Sequence, residues 1–455
     1  MAEPHPLDSD ADDSGIRFKK LSQGELEQAV ELHKKFLEGK TGGVRANLGT
    51  CDLSYLDLSE WDLTNAELSG SRLVNAKLHA TKLVAASLFS SDLRKADLTN
   101  ADLSRSDLRG ACLRGANLTG ATIIEGDLRD GILLRADGKG NLVTMAFDMS
   151  VGDMSAAIVR GANLSNSKMS NAFIVQTDLT DAILRNVKLV RADLSHCNLT
   201  GSILEGADLS EANLTGTILH GCILSGALLS GTNFEGADLV GAVLDSTNLD
   251  GVDLTRALLP RTLASLGAEM KELLQRHLDW IRTAGKKGRR IDLSRVDLAN
   301  ETLSGANLAA GNLEHAILTG ATMEKTEFMM ADLGFADLRG ANLSRADLRG
   351  ANLKRANLTD AKLIGARIGP VNLLGSITQI WPANLERARF IAADLAGANL
   401  RKANLAGCDF TNASLRDADL RETNLQDAEF DGADLRGTLL EKADLRGAKG
   451  LKRES

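Results

Sequence analysis

The most regular feature of the sequence is an apolar residue at every fifth position. Leucine recurs from Leu48 to Leu53, Leu58 and onward, and the residue two places before it is usually alanine, as at Ala66 and Ala76. Asp or Asn commonly stands between the two, so the repeated pattern is A-[DN]-L-x-x. A period of five fits neither the period of about 3.6 of an α-helix nor the period of about two of a strand. The pattern therefore predicts a solenoid, in which a short unit is stacked many times.

A four-sided coil accounts for this period. If each five-residue unit forms one side, its Leu and Ala point inward, and neighbouring coils of 20 residues pair through backbone hydrogen bonds about 4.8 Å apart. The composition agrees, because only 3% of the residues are aromatic and a narrow bore filled by Leu and Ala admits few rings. Phe390, Phe410 and Phe430 stand 20 residues apart at the leucine position. We predict that they stack inside one side of the coil.

The stretch from Ala336 to Leu358, ADLRGANLSRADLRGANLKRANL, resembles the pentapeptide-repeat proteins. The resemblance covers most of 46–448. It implies an all-β fold, a right-handed quadrilateral β-helix. It says little about function, because members of this family serve many purposes.

Two segments replace the five-residue period with a helical one. The first runs from Ser22 to Glu38, and Ser22 and Glu25 have the spacing of a capping box. The second spans about Leu263 to Thr283. Each has an apolar stripe, and each is followed by a Gly-rich basic linker and then by new repeats.

The two helical segments align with each other. Placing His33 on His277 also matches three further pairs of residues: Leu26 and Met270, Phe36 and Trp280, and Leu37 and Ile281. An open coil end exposes unpaired backbone groups, so a repeat protein requires a cap. We therefore predict one module used twice, a short amphipathic helix that caps a β-helix.

This duplication divides the chain near residue 260. We predict a disordered acidic N-terminus over 1–20, then a capping helix and a first β-helix over 21–260. An insertion at 134–148, with the turn sequence Asp137-Gly138-Lys139-Gly140-Asn141, predicts a loop or small hairpin. The second capping helix (about 263–283) and second β-helix occupy 261–455, with a break at 374–384.

Nothing in the sequence indicates a catalytic residue, a metal site or a cofactor site, so we predict no enzymatic activity. Cys51, Cys197, Cys222 and Cys408 stand at the inward alanine position, and only Cys112 stands at an outward one. Such buried thiols are typical of a reduced, cytoplasmic protein. No apolar run approaches the ~18 residues of a membrane span, and the acidic start has no secretory pattern.

Charge is unevenly distributed along the chain. The stretch 192–255 has nine acids and neither Lys nor Arg, whereas 256–290 has nine basic residues against three acids. The acids, which we consider a possible partner-binding surface, are Asp193, Glu205, Asp208, Glu211, Glu235, Asp238, Asp245, Asp250 and Asp253. The basic stretch ends in a possible basic junction formed by Lys286, Lys287, Arg289 and Arg290.

Two hypotheses for function follow. We favour a non-enzymatic scaffold that binds protein partners through rigid solenoid faces. The alternative, implied by the family resemblance, is a DNA mimic that binds a type II topoisomerase and inhibits or protects it. Folding the nine acids on a 20-residue coil distributes them over all four sides, which does not favour mimicry. Aromatic residues are not interleaved with the basic junction, so contact with nucleic acid is not expected, and we expect the junction to lie against the preceding acidic coils instead.

Overall fold

Each five-residue unit forms one side of a four-sided coil in the computed structural model, which describes residues 18–136, 142–145, 152–373 and 379–451. The outward residue at the centre of a side forms a parallel bridge with the residue 20 positions later, as Asp57 does with Lys77. The Lys77 carbonyl accepts from the Leu58 amide at 2.7 Å, and the Lys77 amide donates to the Leu56 carbonyl at 2.9 Å. The outward backbone groups of one coil are thus paired with the preceding coil.

Leucine and alanine fill the inside of the coil. Most of these side chains are no more than 3% exposed, including Leu53, Ala66 and Leu353. Phe390, Phe410 and Phe430 are also buried, and their rings stack with centroid distances of 5.0 and 5.2 Å. The predicted inward phenylalanine column is confirmed.

Most sides end in a tight corner. At the first coil the Leu56 amide donates to the Leu53 carbonyl at 3.2 Å, and Tyr55 between them has a φ of 65°. A positive φ at the third position of such a turn suits Gly and Asn best, because larger L side chains are strained there. This explains why glycine and asparagine recur at the last position of the unit.

Two hairpins interrupt the coil. The bridge partner of Cys112 is Asp153, 41 residues later, so 21 residues are inserted and the leucine phase shifts by one. Within this insertion β3 (Leu133–Ala136) pairs antiparallel with β4 (Leu142–Met145), while the expected turn at 137–141 lies outside the described residues. Asn352 likewise bridges to Asn384, and β5 (Val371–Leu373) pairs antiparallel with β6 (Gln379–Trp381).

The N-terminal part of the structure corrects one prediction. Lys19–Lys20, which we placed in a disordered segment, form strand β1 and pair in parallel with β2 (Cys51–Asp52) in the first coil. The prediction is wrong there because the open edge of the first coil offers backbone partners that composition does not reveal. Residues 1–17 lie outside the described residues.

Both helical segments contain helices. Helix α1 spans Gln23–Leu37, and its N-cap Ser22 forms the predicted capping box with Glu25. The second segment is not one helix: a short 3-10 turn covers Leu263–Leu266, and α2 begins only at Met270 and ends at Arg282. Gly267 breaks the helix, because its φ of 69° is left-handed.

The chain divides into two units. The first consists of Met1–Asp238 and Ala242–Leu258, and the second of Leu239–Gly241 and Leu259–Ser455. Unit 1 therefore contains α1 and the 133–145 hairpin, and unit 2 contains α2 and the 371–381 hairpin. No helix among the described residues is long and apolar enough to cross a bilayer.

Candidate functional site

The outward faces of the coils carry arginine side chains held in fixed positions. Arg94 binds Asp92 through two parallel hydrogen bonds of 2.8 and 2.7 Å, and the same Asp92 carboxylate accepts from the Arg94 backbone amide. This bidentate geometry arises wherever D-x-R occupies the outward positions, since both side chains then lie on one side of the coil. The pairs are Asp92–Arg94, Asp107–Arg109, Asp127–Arg129, Asp337–Arg339, Asp347–Arg349, Asp419–Arg421, Asp434–Arg436 and Asp444–Arg446.

The Asp347 carboxylate holds two guanidinium groups, Arg349 at 2.7 Å and Arg367 of the next coil at 2.8 Å. Burial alone would raise the pKa of Asp347, but the hydrogen bonds from Arg349 and the positive charges of both arginines keep that pKa below its usual value. The carboxylate therefore stays ionised and ties two successive coils together on the outside of the solenoid.

A column of amide side chains follows another face of unit 2. The Asn404 Nδ2 donates to the Asn384 Oδ1 at 3.0 Å, and the Asn424 Nδ2 donates to the Asn404 Oδ1 at 3.0 Å. Each Oδ1 also accepts a backbone amide two residues later, as Asn384 does from Glu386. Each Nδ2 thus donates to the asparagine of the preceding coil, so the side-chain hydrogen bonds of the column all point the same way.

The nine predicted acids do not form one surface. Asp193, Asp208 and Asp238 bridge to Asn213, Leu228 and Leu258, respectively, and so lie in three different columns. Three of the nine acids pair with a Lys or Arg side chain: Glu205 with Arg185 at 2.7 Å, Asp208 with Lys188 at 3.5 Å, and Glu235 with Arg256 at 2.6 Å. The charges of these three carboxylates are therefore locally compensated. Asp238 contacts the His220 imidazole at 2.8 Å.

The basic junction is exposed and follows the end of α2. The Thr283 Oγ1 accepts the Lys287 amide at 2.8 Å, and the Arg289 amide donates to the Arg276 carbonyl of α2. The Arg290 Nε donates to the Ala310 carbonyl of the first coil of unit 2. The structure thus shows this stretch as the link between α2 and its own solenoid.

Helix α1 satisfies the backbone of the first coil through its side chains. The Gln23 amide donates to the Asp57 carbonyl at 2.9 Å and accepts the Asp57 N–H at 3.0 Å, which reproduces a strand bridge. On the next side, His33 contacts the Thr64 carbonyl at 3.1 Å. Leu26 and His33 are both fully buried.

Helix α2 repeats the histidine contact in unit 2. His277 is fully buried and contacts the Ala309 carbonyl at 3.1 Å, and it stacks on Trp280 as His33 stacks on Phe36. Arg290 corresponds to Arg45, which donates to the Asn65 carbonyl. These correspondences follow the alignment made from the sequence, with one extra residue in the second linker.

A glycine permits each linker to lie against its helix. A Cβ on Gly43 would stand 2.3 Å from the Phe36 backbone nitrogen, and a Cβ on Gly288 would stand 2.1 Å from the Arg276 carbonyl oxygen. Both contacts involve helix backbone, which cannot rotate away. The sequence indicated glycine-rich linkers but not which glycine was required.

The cysteines offer no reactive group. All five are free and buried, and burial raises the pKa of the Cys197 thiol to about 12. A thiol with a raised pKa is a poor nucleophile at neutral pH. Within the described ranges, no group of three or more His, Cys, Asp or Glu side chains could hold a metal ion.

One surface was missed by the sequence analysis. The 371–381 hairpin folds over a corner of unit 2, where a Cβ built on Gly350 lies within 3.4 Å of Val371, Trp381 and Met330 side-chain atoms. Trp381 is 47% exposed and Met330 is 38% exposed. We call Met330, Val371 and Trp381 the hairpin patch. Only the hairpin brings these residues together, because their spacing follows no repeat.

Coils of four five-residue sides, with bridges at 20-residue spacing, define the class of the protein as a β-helical solenoid. A family model described as pentapeptide repeats matches residues 44–79, 81–122, 153–186, 188–226, 222–259, 289–324 and 331–368. A second, described as a pentapeptide repeat region, matches residues 383–451. The chain belongs to the pentapeptide repeat family, whose coils form a right-handed β-helix.

Several solved structures are similar to this chain. QnrB1, a plasmid-mediated fluoroquinolone resistance protein, is 15% identical over 61% of this chain and 86% of its own, with a TM-score of 0.23. HetL from Nostoc sp. strain PCC 7120 is 24% identical over 92% of this chain and 94% of its own, with a TM-score of 0.13. A thylakoid lumen protein from Arabidopsis thaliana is 31% identical over 23% of this chain and 68% of its own, with a TM-score of 0.16. No curated protein matches the chain.

Proposed function

We propose that this protein is a non-enzymatic scaffold that binds a protein partner through the rigid faces of its solenoid. The observation that carries the proposal is the order of its outward side chains. Arginines held bidentately by aspartates and a directional column of asparagines are already immobilised in the free protein. Binding costs less when side chains need not be ordered at the interface.

The hairpin patch supports unit 2 as the site of binding. Trp381 is about half exposed, in a chain that has only 3 Trp residues. Tryptophan is enriched among the residues that dominate interface energies. Arg349, which directly precedes Gly350, is held in place by Asp347, so an ordered polar group adjoins the glycine that the patch surrounds. We therefore propose the patch as an apolar anchor and the adjacent face as its polar rim.

The same proposal includes the modular organisation predicted from the sequence. Residues 21–260 and 261–455 are each proposed to be a β-helix capped by a helix. The matched contacts of His33 and His277, and of Arg45 and Arg290, support a common origin for the two caps.

Mimicry of DNA is the less favoured alternative. It requires acidic groups at regular intervals on one surface, in place of the phosphates of a duplex. Asp193, Asp208 and Asp238 lie in different columns, and Asp208 is paired with Lys188. The nine acids remain a predicted partner surface, which variants at these positions can test.

The deciding experiment combines affinity capture with matched variants. The full chain is immobilised, exposed to lysate of the source cells, and compared with Trp381→Ala and with Tyr55→Ala, which alters an aromatic residue that is 74% exposed in unit 1. The proposal expects a partner that binds the wild type and Tyr55→Ala equally but is lost from Trp381→Ala. Retention by all three proteins would refute the anchor.

A gyrase supercoiling assay separates the two functions. The scaffold proposal expects no change in supercoiling at micromolar protein. Inhibition, or protection against a quinolone, that is lost when Asp193, Asp208 and Asp238 are replaced by Asn would establish the mimic instead.

A further inference from the structure

The histidines of the two helices, His33 and His277, share a protonation state that their neighbours dictate. The Ala46 backbone N–H donates to the His33 Nδ1 at 3.1 Å, so that nitrogen carries no proton. The other ring nitrogen, Nε2, lies 3.1 Å from the Thr64 carbonyl and must donate to it. His33 is therefore a neutral imidazole with its proton on Nε2, and it joins α1 to the linker and to the first coil.

Unit 2 repeats this arrangement with different surroundings. The Ile291 N–H donates to the His277 Nδ1 at 3.1 Å, and the Nε2 faces the Ala309 carbonyl at 3.1 Å. Phe36 is replaced by Trp280, and Ala46 by Ile291, yet the imidazole contacts are unchanged. Packing alone would not require each histidine to contact one backbone N–H and one backbone carbonyl in the same way.

We propose that His33 and His277 are proton-operated latches, each of which releases its helix from the end of its solenoid when the imidazole is protonated. A proton on Nδ1 would face the N–H of Ala46 or Ile291, so two donors would oppose each other and the hydrogen bond would be lost. The charged ring would also be buried, since both histidines are 0% exposed. This inference is independent of the proposed scaffold function.

Release would uncover backbone groups of the first coil of each unit. In unit 1 these are the carbonyls of Thr64 and Asn65, and the bridge of Gln23 to Asp57 would be weakened as α1 departs. Uncovered coil edges can pair with other chains. Acidification thus converts a closed solenoid end into an exposed β edge.

The charged groups around the two rings agree with this direction. Burial lowers the pKa of His33, the Thr64 carbonyl and Asp62 oppose that shift, and Arg45 adds to it. Burial also lowers the pKa of His277, with the Ala309 carbonyl opposing and Arg290 adding. A lowered folded-state pKa means that the stabilisation is complete above the ordinary value of 6.5 and declines as the pH falls below it.

The limiting size of the effect follows from linkage. If only the released helix can be protonated, helix opening at pH 5 is favoured up to about 30-fold over pH 8, for an imidazole of ordinary pKa 6.5. Hydrogen exchange of the full chain measures this ratio, once rates are corrected for the intrinsic effect of pH on exchange. The expected result is acid-accelerated exchange in α1 and α2 with little change in the central coils.

Two variants serve as controls for each other. His33→Asn keeps an acceptor near the Nδ1 position but cannot be protonated, so α1 should lose its acid response while α2 retains it. His277→Asn should do the reverse, and His196→Asn, at an exposed corner, should change neither. An unchanged acid response of α1 in His33→Asn would overturn the proposal, because another group would then be responsible.

A direct titration covers the case in which a variant fails to dock its helix. In the wild-type protein with 13C-labelled histidine, His33 and His277 should show the Nε2–H tautomer at pH 8 and should titrate below the ordinary pKa of 6.5. If His33 and His277 titrate at or above that value, or show the Nδ1–H tautomer, the latch is refuted.

Discussion

Replacing Phe410 by Ala tests the packing that holds unit 2 together. Phe410 is fully buried, and its ring lies 5.0 Å from that of Phe390 and 5.2 Å from that of Phe430. Truncating a buried Phe to Ala costs about 3–5 kcal/mol, partly through the cavity that remains. Each stacked ring pair contributes about 0.5–1.5 kcal/mol beyond its buried area, which places this substitution at the upper end of the range.

Phe410→Leu is the informative comparison, because Leu is the usual residue at this position of the repeat. It refills most of the volume, so we expect a cost of about 1–2 kcal/mol. Tyr55→Ala, at a 74% exposed corner, should change the free energy of unfolding by no more than about 0.5 kcal/mol.

Urea unfolding of the full-length variants, followed by far-UV circular dichroism, measures these differences. Because the chain has two units, hydrogen exchange of the coils around Phe410 should accompany the unfolding curves to locate the loss. The reasoning fails if Phe410→Ala is no more destabilising than Tyr55→Ala, or if Phe410→Leu costs as much as Phe410→Ala.

Three further tests address separate parts of the structure. Gly43→Ala should destabilise docking of α1 by about 1–3 kcal/mol, because the added Cβ clashes with helix backbone. Gly24→Ala, where a Cβ meets nothing within 4 Å, should instead stabilise the helix by up to about 1 kcal/mol. Hydrogen exchange of α1 distinguishes the two variants, and equal effects would contradict the proposed contact. Asn404→Asp should lower the free energy of unfolding by about 1–3 kcal/mol at pH 7, because a carboxylate acceptor would then face the Asn384 Oδ1, which is itself an acceptor. The urea midpoint of this variant should recover partly at pH 4. A midpoint independent of pH would count against the asparagine column. Burial would raise the pKa of Asp153, but its hydrogen bonds keep that pKa below 3.8, so the carboxylate stabilises the fold above pH 3.8 and loses this effect as the pH falls further. Asp153→Asn should therefore lower the melting temperature at pH 7 but flatten its decline below pH 4. An unchanged dependence of the melting temperature on pH would exclude this role.

Much of the fold could be predicted because the repeat is local. The direction of Leu353 and the inward position of Phe410 follow from a five-residue period, since every unit meets the same neighbours in the next coil. Each insertion also shifts the register of the five-residue repeat, so the sequence shows where the coil is interrupted. The break at Gly267 was not predicted, because the apolar stripe continues through it.

The candidate surfaces were harder to predict. The nine acids were identified, but their pairing depends on which residues lie 20 positions away or on a neighbouring turn, as Glu205 lies beside Arg185. The hairpin patch was missed because Met330 and Trp381 are separated by 51 positions and follow no period. A bidentate D-x-R pair, in contrast, can be recognised in the sequence once the outward positions are known.

The sequence by itself determined the coil and its core, and it aligned the two helical segments, because these depend on repeated local spacing. Tertiary structure decided what the paired residues do. His33 and His277 were aligned as apolar-stripe residues, and only the fold shows each imidazole between a backbone donor and a backbone acceptor from different parts of the chain. Hydrogen-bond partners that meet through the ends of a solenoid have no fixed separation in sequence, so no periodicity can reveal them.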